Sequence, residues 1–168
     1  SGAIPATGAG TRMMWYPAKA AFRAGSLDLP SNNFWDKDSI GQYSIAFGLD
    51  TKAVGNYSLA AGYLSNASGD FSLALGTNVW AIGGFSIALG AYSRSIGNYS
   101  MAMGFNTSAT GLRSTAMGSQ TKSVGVTSTA LCEVTIARSF LSLAAGRYND
   151  TTNMTSTTGW IETDPLFV

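Results

Sequence analysis

The chain has 168 residues, of which 45% are hydrophobic and only 11% charged, with twenty glycines, one cysteine, no histidine and a formal net charge of +1. That length suits one domain or one rigid module with appendages. Near-neutral charge without a basic run removes the usual footprint of nucleic-acid binding or electrostatic membrane binding, and no apolar stretch is long enough for a membrane-spanning helix. In chain order, residues 1–40 do not repeat. The run Met13-Met-Trp-Tyr-Pro17 leads into Ala18-Lys-Ala-Ala-Phe-Arg-Ala-Gly25, dense in large apolar side chains. A stacked repeat needs an end cap, so Met13, Met14, Trp15, Tyr16 and Phe22 are expected as cap and subunit-contact residues. Residues 26–37, with Pro30 and scattered Asn and Asp, are expected as a loop tucked back by Phe34 and Trp35. Without a basic leader at its start, the chain reads as a piece of something longer.

From Gly41 to about Thr152 one pattern is written eight times at a period of fourteen without insertion, for example Gly41-Gln-Tyr-Ser-Ile-Ala-Phe-Gly48, Gly69-Asp-Phe-Ser-Leu-Ala-Leu-Gly76 and Gly97-Asn-Tyr-Ser-Met-Ala-Met-Gly104. A constant period is the mark of a solenoid whose coils stack on their neighbours. Period-two alternation sorts each copy into two faces. One is held to Ser and Ala (Ser44 and Ala46 through Ser142 and Ala144), and the other is large and apolar. A second short strand fits near Thr51–Val54, Ser65–Ser68 and Val79–Ile82, with Thr51, Ala53, Ser65, Ala67, Thr107, Ala109, Thr121 and Ser123 pointing inward. Two short strands and two turns in fourteen residues make a flat coil lined by Ser, Ala and Thr, with glycines at both corners fitting turns of positive φ.

The large apolar side then faces outward in three ladders. Tyr43, Tyr57, Phe71, Phe85 and Tyr99 form the first, Ile45, Leu59, Leu73, Ile87 and Met101 the second, and Phe47, Leu75, Leu89 and Met103 the third, continued by Met117 and Leu131. An exposed apolar strip of this extent exceeds what a soluble monomer tolerates, and a strip repeated along one axis suits a parallel cyclic homo-oligomer. The fourteen ladder residues from Tyr43 to Met103, without Met117 and Leu131, are the expected subunit interface.

The Ser-x-Ala-x-Gly copies, such as Ser72-Leu-Ala-Leu-Gly76 and Ser86-Ile-Ala-Leu-Gly90, resemble the head repeats of the YadA-like trimeric autotransporter adhesins. The resemblance implies an all-β fold: a left-handed parallel β-roll of about eight 14-residue coils, homotrimeric, with non-repetitive N- and C-terminal caps. It divides the chain into a cap and trimer-contact segment (1–40), the head roll (41–152), and a C-terminal cap or the start of the next fibre module (153–168). Family members carry a signal peptide, stalk and outer-membrane anchor, so the resemblance implies display at a bacterial cell surface through other segments. Cys132 stands where Gly is expected and Ser139 replaces the opening Gly, while Arg113, Thr127, Thr115 and Thr129 thin the ladders late in the series. The segment Met13–Gly25 also resembles the stretch preceding such repeats in surface or fibre proteins of Bacteroidetes-like bacteria.

Little in the composition suggests turnover. The lack of histidine removes the commonest general base and metal ligand, and the nine carboxylates are scattered. No catalytic residue, cofactor or metal is expected. Repeated Gly-Gly-x-Gly-x-Asp, the calcium-roll pattern, is missing, and the outward positions of the second strand (Lys52, Asn66, Trp80, Arg94, Ser108, Lys122, Ile136, Asp150) do not form the Thr lattice of an ice-binding face. Leu64, Trp80, Tyr92 and Arg94 fall on neighbouring coils and form the candidate ligand-binding patch, since exposed Trp, Tyr and Arg are enriched in binding hot spots. Asn56, Asn66, Asn98 and Asn106 each open an Asn-x-Ser sequence, which beside Gly is read as turn chemistry. The expected function is that of a trimeric adhesin head presenting a rigid surface to host, matrix or neighbouring cells, its receptor a protein or glycan. The alternative is a trimeric tail-fibre or receptor-binding spacer of a phage or contractile injection system.

Overall fold

The computed structural model describes Ile4 and residues 6–149; the segment 153–168 and Asp150 lie outside the described residues. Strand β1 (Gly10–Tyr16) turns through a 3-10 segment at Pro17–Lys19 into β2 (Ala21–Leu27), and the two pair antiparallel. Strand β2 then pairs in parallel with β3 (Ile45–Leu49), the first of eight five-residue strands that recur every fourteen residues to Leu143–Arg147. Together they make a ten-stranded sheet. Two-residue strands from Lys52–Ala53 to Ile136–Ala137 form a second, seven-stranded parallel sheet. The result is an all-β parallel solenoid of 14-residue coils. Seven coils are closed; the eighth long strand is present, and the position of its short partner lies outside the described residues.

Register follows the repeat without slippage: Ile45 pairs with Leu59, Leu59 with Leu73, Leu73 with Ile87 and Ile87 with Met101. The Ser/Ala face is the interior, since every Ala from Ala46 to Ala144 at this position is fully buried. Thr51, Ala53, Ser65, Ala67, Thr107, Ala109, Thr121 and Ser123 are buried from the opposite sheet. The roll is thin enough for hydroxyls of the two layers to meet: Ser95 Oγ lies 2.6 Å from Ser100 Oγ, and Ser123 Oγ lies 2.6 Å from Ser128 Oγ. Ordinary sheets pack about 10 Å apart around interdigitated large side chains, and such residues have no room here. In most coils the interior serine hydroxyl finds a local acceptor: Ser44, Ser58 and Ser72 donate to the carbonyls of Gly41, Gly55 and Gly69, each at 2.6 Å, whereas the Ser86 and Ser114 hydroxyls are buried without one.

The two glycines of a copy serve different ends, which corrects the expectation of positive φ at both corners. Gly48 and its equivalents do take positive φ, 111° at Gly48 itself. Gly41, Gly55 and Gly69 do not; a Cβ on Gly55 would sit 1.9 Å from the Gly69 carbonyl oxygen of the next coil. They are glycine for close contact alone, whereas at Gly48, where a Cβ would lie 2.1 Å from the Gly62 carbonyl oxygen, the same contact is added to the positive φ. The left-handed turn positions are instead occupied by residues with side chains, such as Tyr43, Tyr57 and Phe71 at one corner and Asp50, Leu64 and Tyr92 at the other, with φ between 53° and 57°. That conformation costs a residue with a Cβ about 1–2 kcal/mol. Inter-coil bonds such as Tyr57 N–H to the Gln42 carbonyl at 2.8 Å hold it in place. Cys132 occupies a positive-φ corner that glycine fills elsewhere, with φ 82° and an exposed thiol.

The N-terminal segment is more regular than its non-repetitive sequence suggests. Strand β2 occupies the place of a preceding coil, so Phe22, Arg23 and Ala24 stand in register with Ile45, Ala46 and Phe47. Arg23 thereby enters the interior column and is fully buried. Its guanidinium donates to the Ser44 carbonyl (2.9 Å), Ser44 Oγ (2.8 Å) and the Ala53 carbonyl (3.0 Å). Desolvation pushes its pKa down from the ordinary arginine range to about 10, so it remains a cation at neutral pH. Trp35 closes the other half of the opening, fully buried with Nε1 donating to the Thr51 carbonyl at 2.9 Å. Residues 26–37, expected as a loop, contribute the end of β2 and a 3-10 turn at Ser31–Asn33.

Candidate interaction surfaces

The outward face of the long-strand sheet carries the three apolar ladders. Five rings stack along one corner: Tyr43 on Tyr57 at 4.9 Å, Tyr57 on Phe71 and Phe71 on Phe85 at 4.7 Å, and Phe85 on Tyr99 at 5.0 Å between centroids. The ring spacing is the strand spacing of a sheet, about 4.7–4.9 Å, so each coil adds one ring. Where the aromatics stop, the Arg113 guanidinium sits 5.9 Å over the Tyr99 ring, ending the stack with a cation–π contact. Beside it run Ile45, Leu59, Leu73, Ile87 and Met101, and then Phe47, Leu75, Leu89 and Met103, all exposed or half-buried in the single chain.

The hairpin prolongs this strip. Trp15 stands opposite Phe22, and Phe22 opposite Ile45; the Phe22 and Phe47 rings lie 5.6 Å apart. Met13 and Trp15 are 76% and 53% exposed, whereas Met14 and Tyr16 are buried with Leu27, Trp35 and Ile40. The residues expected as cap and contact thus divide by strand alternation. Met14 and Tyr16 pack the cap, and Met13 and Trp15 face outward.

The short-strand face, on the other side of the roll, is polar and uneven. The four residues of the expected patch do fall close together, but around two depressions rather than one. Arg94 pairs in register with Trp80, and its guanidinium lies 5.2 Å over the indole. Leu64 and Trp80 line a notch with Phe34, Asp50, Lys52 and Asn66. Tyr92 and Arg94 line the next one with Asn78, Asn106, Ser108 and Lys122. Sequence reasoning missed Phe34, which arrives from the N-terminal segment and takes Lys52 Nζ 5.0 Å over its ring. Lys122 was within reach, since it shares the fourteen-residue column of Trp80 and Arg94. Asn56 and Asn98 behave as turn residues: their Oδ1 atoms accept the N–H groups of Gln42 (3.0 Å) and Gly84 (2.9 Å) one coil away.

Among the described residues no group of three or more His, Cys, Asp or Glu is placed to hold a metal ion, and no helix is long and apolar enough to cross a membrane. A family model described as YadA head domain repeat (2 copies) matches residues 39–65, 53–78, 81–107, 95–121 and 109–131. No curated protein matches the chain.

Proposed function

The chain belongs to the YadA head domain repeat family, and from that premise we propose that it is the rigid head of a homotrimeric adhesin, displayed outside the cell to hold host, matrix or neighbouring cells. The observation that carries the reading is the continuous apolar strip on the long-strand sheet, from Trp15 through the five stacked rings to Met103. Full burial of such a side chain contributes about 1.5–3 kcal/mol, and the strip holds more of them than solvent would leave uncovered. Tyr43, Ile45, Phe47, Tyr57, Leu59, Phe71, Leu73, Leu75, Phe85, Ile87, Leu89, Tyr99, Met101 and Met103 form the subunit interface on this reading. Three is the number of copies the family implies.

Function in such a body is presentation. The flat interior and fixed coil spacing leave few ways to bend, and the outward short-strand face is the surface three copies would offer in parallel. Weak sites there would be multiplied by avidity, with Leu64, Trp80, Tyr92 and Arg94 as contact residues. Analytical ultracentrifugation at micromolar concentration tests assembly: three times the 17.5 kDa of the chain is expected. The double variant Leu73→Asp, Ile87→Asp should lose that mass, because each carboxylate would be buried unpaired. A folded wild-type monomer, or a trimer unaffected by the two aspartates, would overturn the assignment.

A further inference from the structure

The second depression on the short-strand face has a chemistry of its own. It arises because Ser108 is the small member of the column Trp80–Arg94–Ser108–Lys122. The gap it leaves encloses about 360 Å³, within the roughly 300–1,000 Å³ typical of small-molecule sites. Arg94 and Lys122 bound it along the roll axis, two coils apart, and no acidic residue among the described ones lines it. Among the described residues neither cation has an ion-pair partner. Arg94 is held by its stack on Trp80 at 5.2 Å, which fixes a guanidinium at the rim. Tyr92 stands at the side, 51% exposed, its ring braced edge-on by Phe105 at 5.8 Å and 83°. Asn78 is oriented by accepting the Trp80 Nε1 hydrogen at 2.9 Å, so its amide hydrogens remain to donate; Asn106 also lines the cleft, on the same corner column as Asn78 and Tyr92.

We propose that this cleft binds an acidic saccharide, one or two sugar units of a carboxylated or sulfated glycan per chain. The inference rests on the reading of the short-strand face as the presented surface, and adds the ligand class and two residues, Lys122 and Asn78, to the contact set. Charge selects the ligand: two cations without an internal counter-ion, one of them held in place by its stack on Trp80, favour an anion, and guanidinium offers a planar fork for carboxylate or sulfate. The remaining lining selects a saccharide over an acidic peptide. Short amides and hydroxyls pair with ring hydroxyls as both donors and acceptors, and a braced aromatic face suits the C–H side of a pyranose. Tyr92 is the only large apolar side chain lining this cleft, so no hydrophobic pocket awaits a peptide side chain.

The test is calorimetric titration of the whole protein with a heparin-derived hexasaccharide, a galacturonate hexamer, maltohexaose and hexaglutamate at low and high salt. At least one acidic saccharide is expected to bind about tenfold or more tightly than both maltohexaose and hexaglutamate, with affinity falling as salt rises. Arg94→Ala and Lys122→Ala should each cost about tenfold. Tyr92→Leu should weaken the saccharide while leaving the backbone in place, since Leu64 occupies the equivalent corner at φ 53°. Equal binding of hexaglutamate, equal binding of maltohexaose, or unchanged affinity in both cation variants would overturn the proposal. Sedimentation of the same samples separates the two levels. A trimer that ignores acidic saccharides overturns the cleft alone, and a folded monomer overturns the head assignment whatever it binds.

Discussion

Gly83 and Gly84 are adjacent, and only one of them is glycine by necessity. A Cβ added to Gly83 would lie 2.1 Å from the Gly97 carbonyl oxygen, 2.5 Å from its carbon and 2.8 Å from the Asn98 nitrogen, all backbone of the next coil. An ordinary carbon–oxygen contact is more than an ångström longer, and the obstacle is not a side chain that can swing aside. Accommodating Gly83→Ala means parting two coils, and with them bonds such as Phe85 N–H to Asp70 O and Tyr99 N–H to Gly84 O, both 2.8 Å. Overpacking costs about 1–3 kcal/mol where side chains can yield, so about 3 kcal/mol or more is expected here. A Cβ on Gly84 would meet its nearest atoms at 3.7 and 3.9 Å, ordinary contact. The equivalent positions in other copies hold Gln42, Asn56, Asp70 and Asn98. Gly84→Ala should therefore be neutral or stabilise by about 0.4–1 kcal/mol through the unfolded chain. At about 2–4 °C per kcal/mol for a chain of this size, thermal melts at one fixed protein concentration should place the two variants at least about 6 °C apart. Equal melting temperatures, or a worse Gly84 variant, would refute the close-contact account of this glycine column.

Two further outcomes follow from the interior. Ala88→Leu should lower the melting temperature more than Ile87→Leu, because Ala88 is fully buried between the sheets while Ile87 faces outward; equal shifts would mean the interior is not the Ser/Ala side. Arg23→Met should stay within about 1 kcal/mol of wild type, since the Ser44 and Ala53 carbonyls keep the backbone donors Phe22 and Gly41, whereas Arg23→Ala should cost about 2–4 kcal/mol for the void. The folded state holds the Arg23 proton less tightly than the unfolded one, burial having pushed its pKa down to about 10. Its burial penalty is thus fully present below pH 10 and is relieved as pH rises through 10 toward the ordinary arginine range. Measured by urea denaturation, wild type should gain on Arg23→Met by somewhat under 1 kcal/mol between pH 8 and 10.5; a gain in the opposite direction would contradict a buried cation.

The repeat alone determined the solenoid. A fixed period leaves each residue beside its own equivalents, so a column of Ala or of Tyr in the sequence is a column in space, and alternation of small and large decides which column lies inside. The apolar ladders and the clustering of Leu64, Trp80, Tyr92 and Arg94 could be read that way because they depend on register and nothing else. What the sequence left undecided depends on contacts outside the period. That any side chain at Gly55 is excluded by the Gly69 carbonyl, while Tyr57 two residues later takes the left-handed turn, is set by where the next coil's backbone lies. The plugging of the open end by Arg23 and Trp35 was not legible either, because a non-repeating segment has no column to assign it. Only the chain path through the hairpin puts Arg23 opposite Ala46. The cleft between Arg94 and Lys122 was half legible. The column gives its two cations, but its depth comes from Ser108 lying between larger neighbours, and its fixed rim from the Arg94–Trp80 stack, which exists only once the coils are stacked.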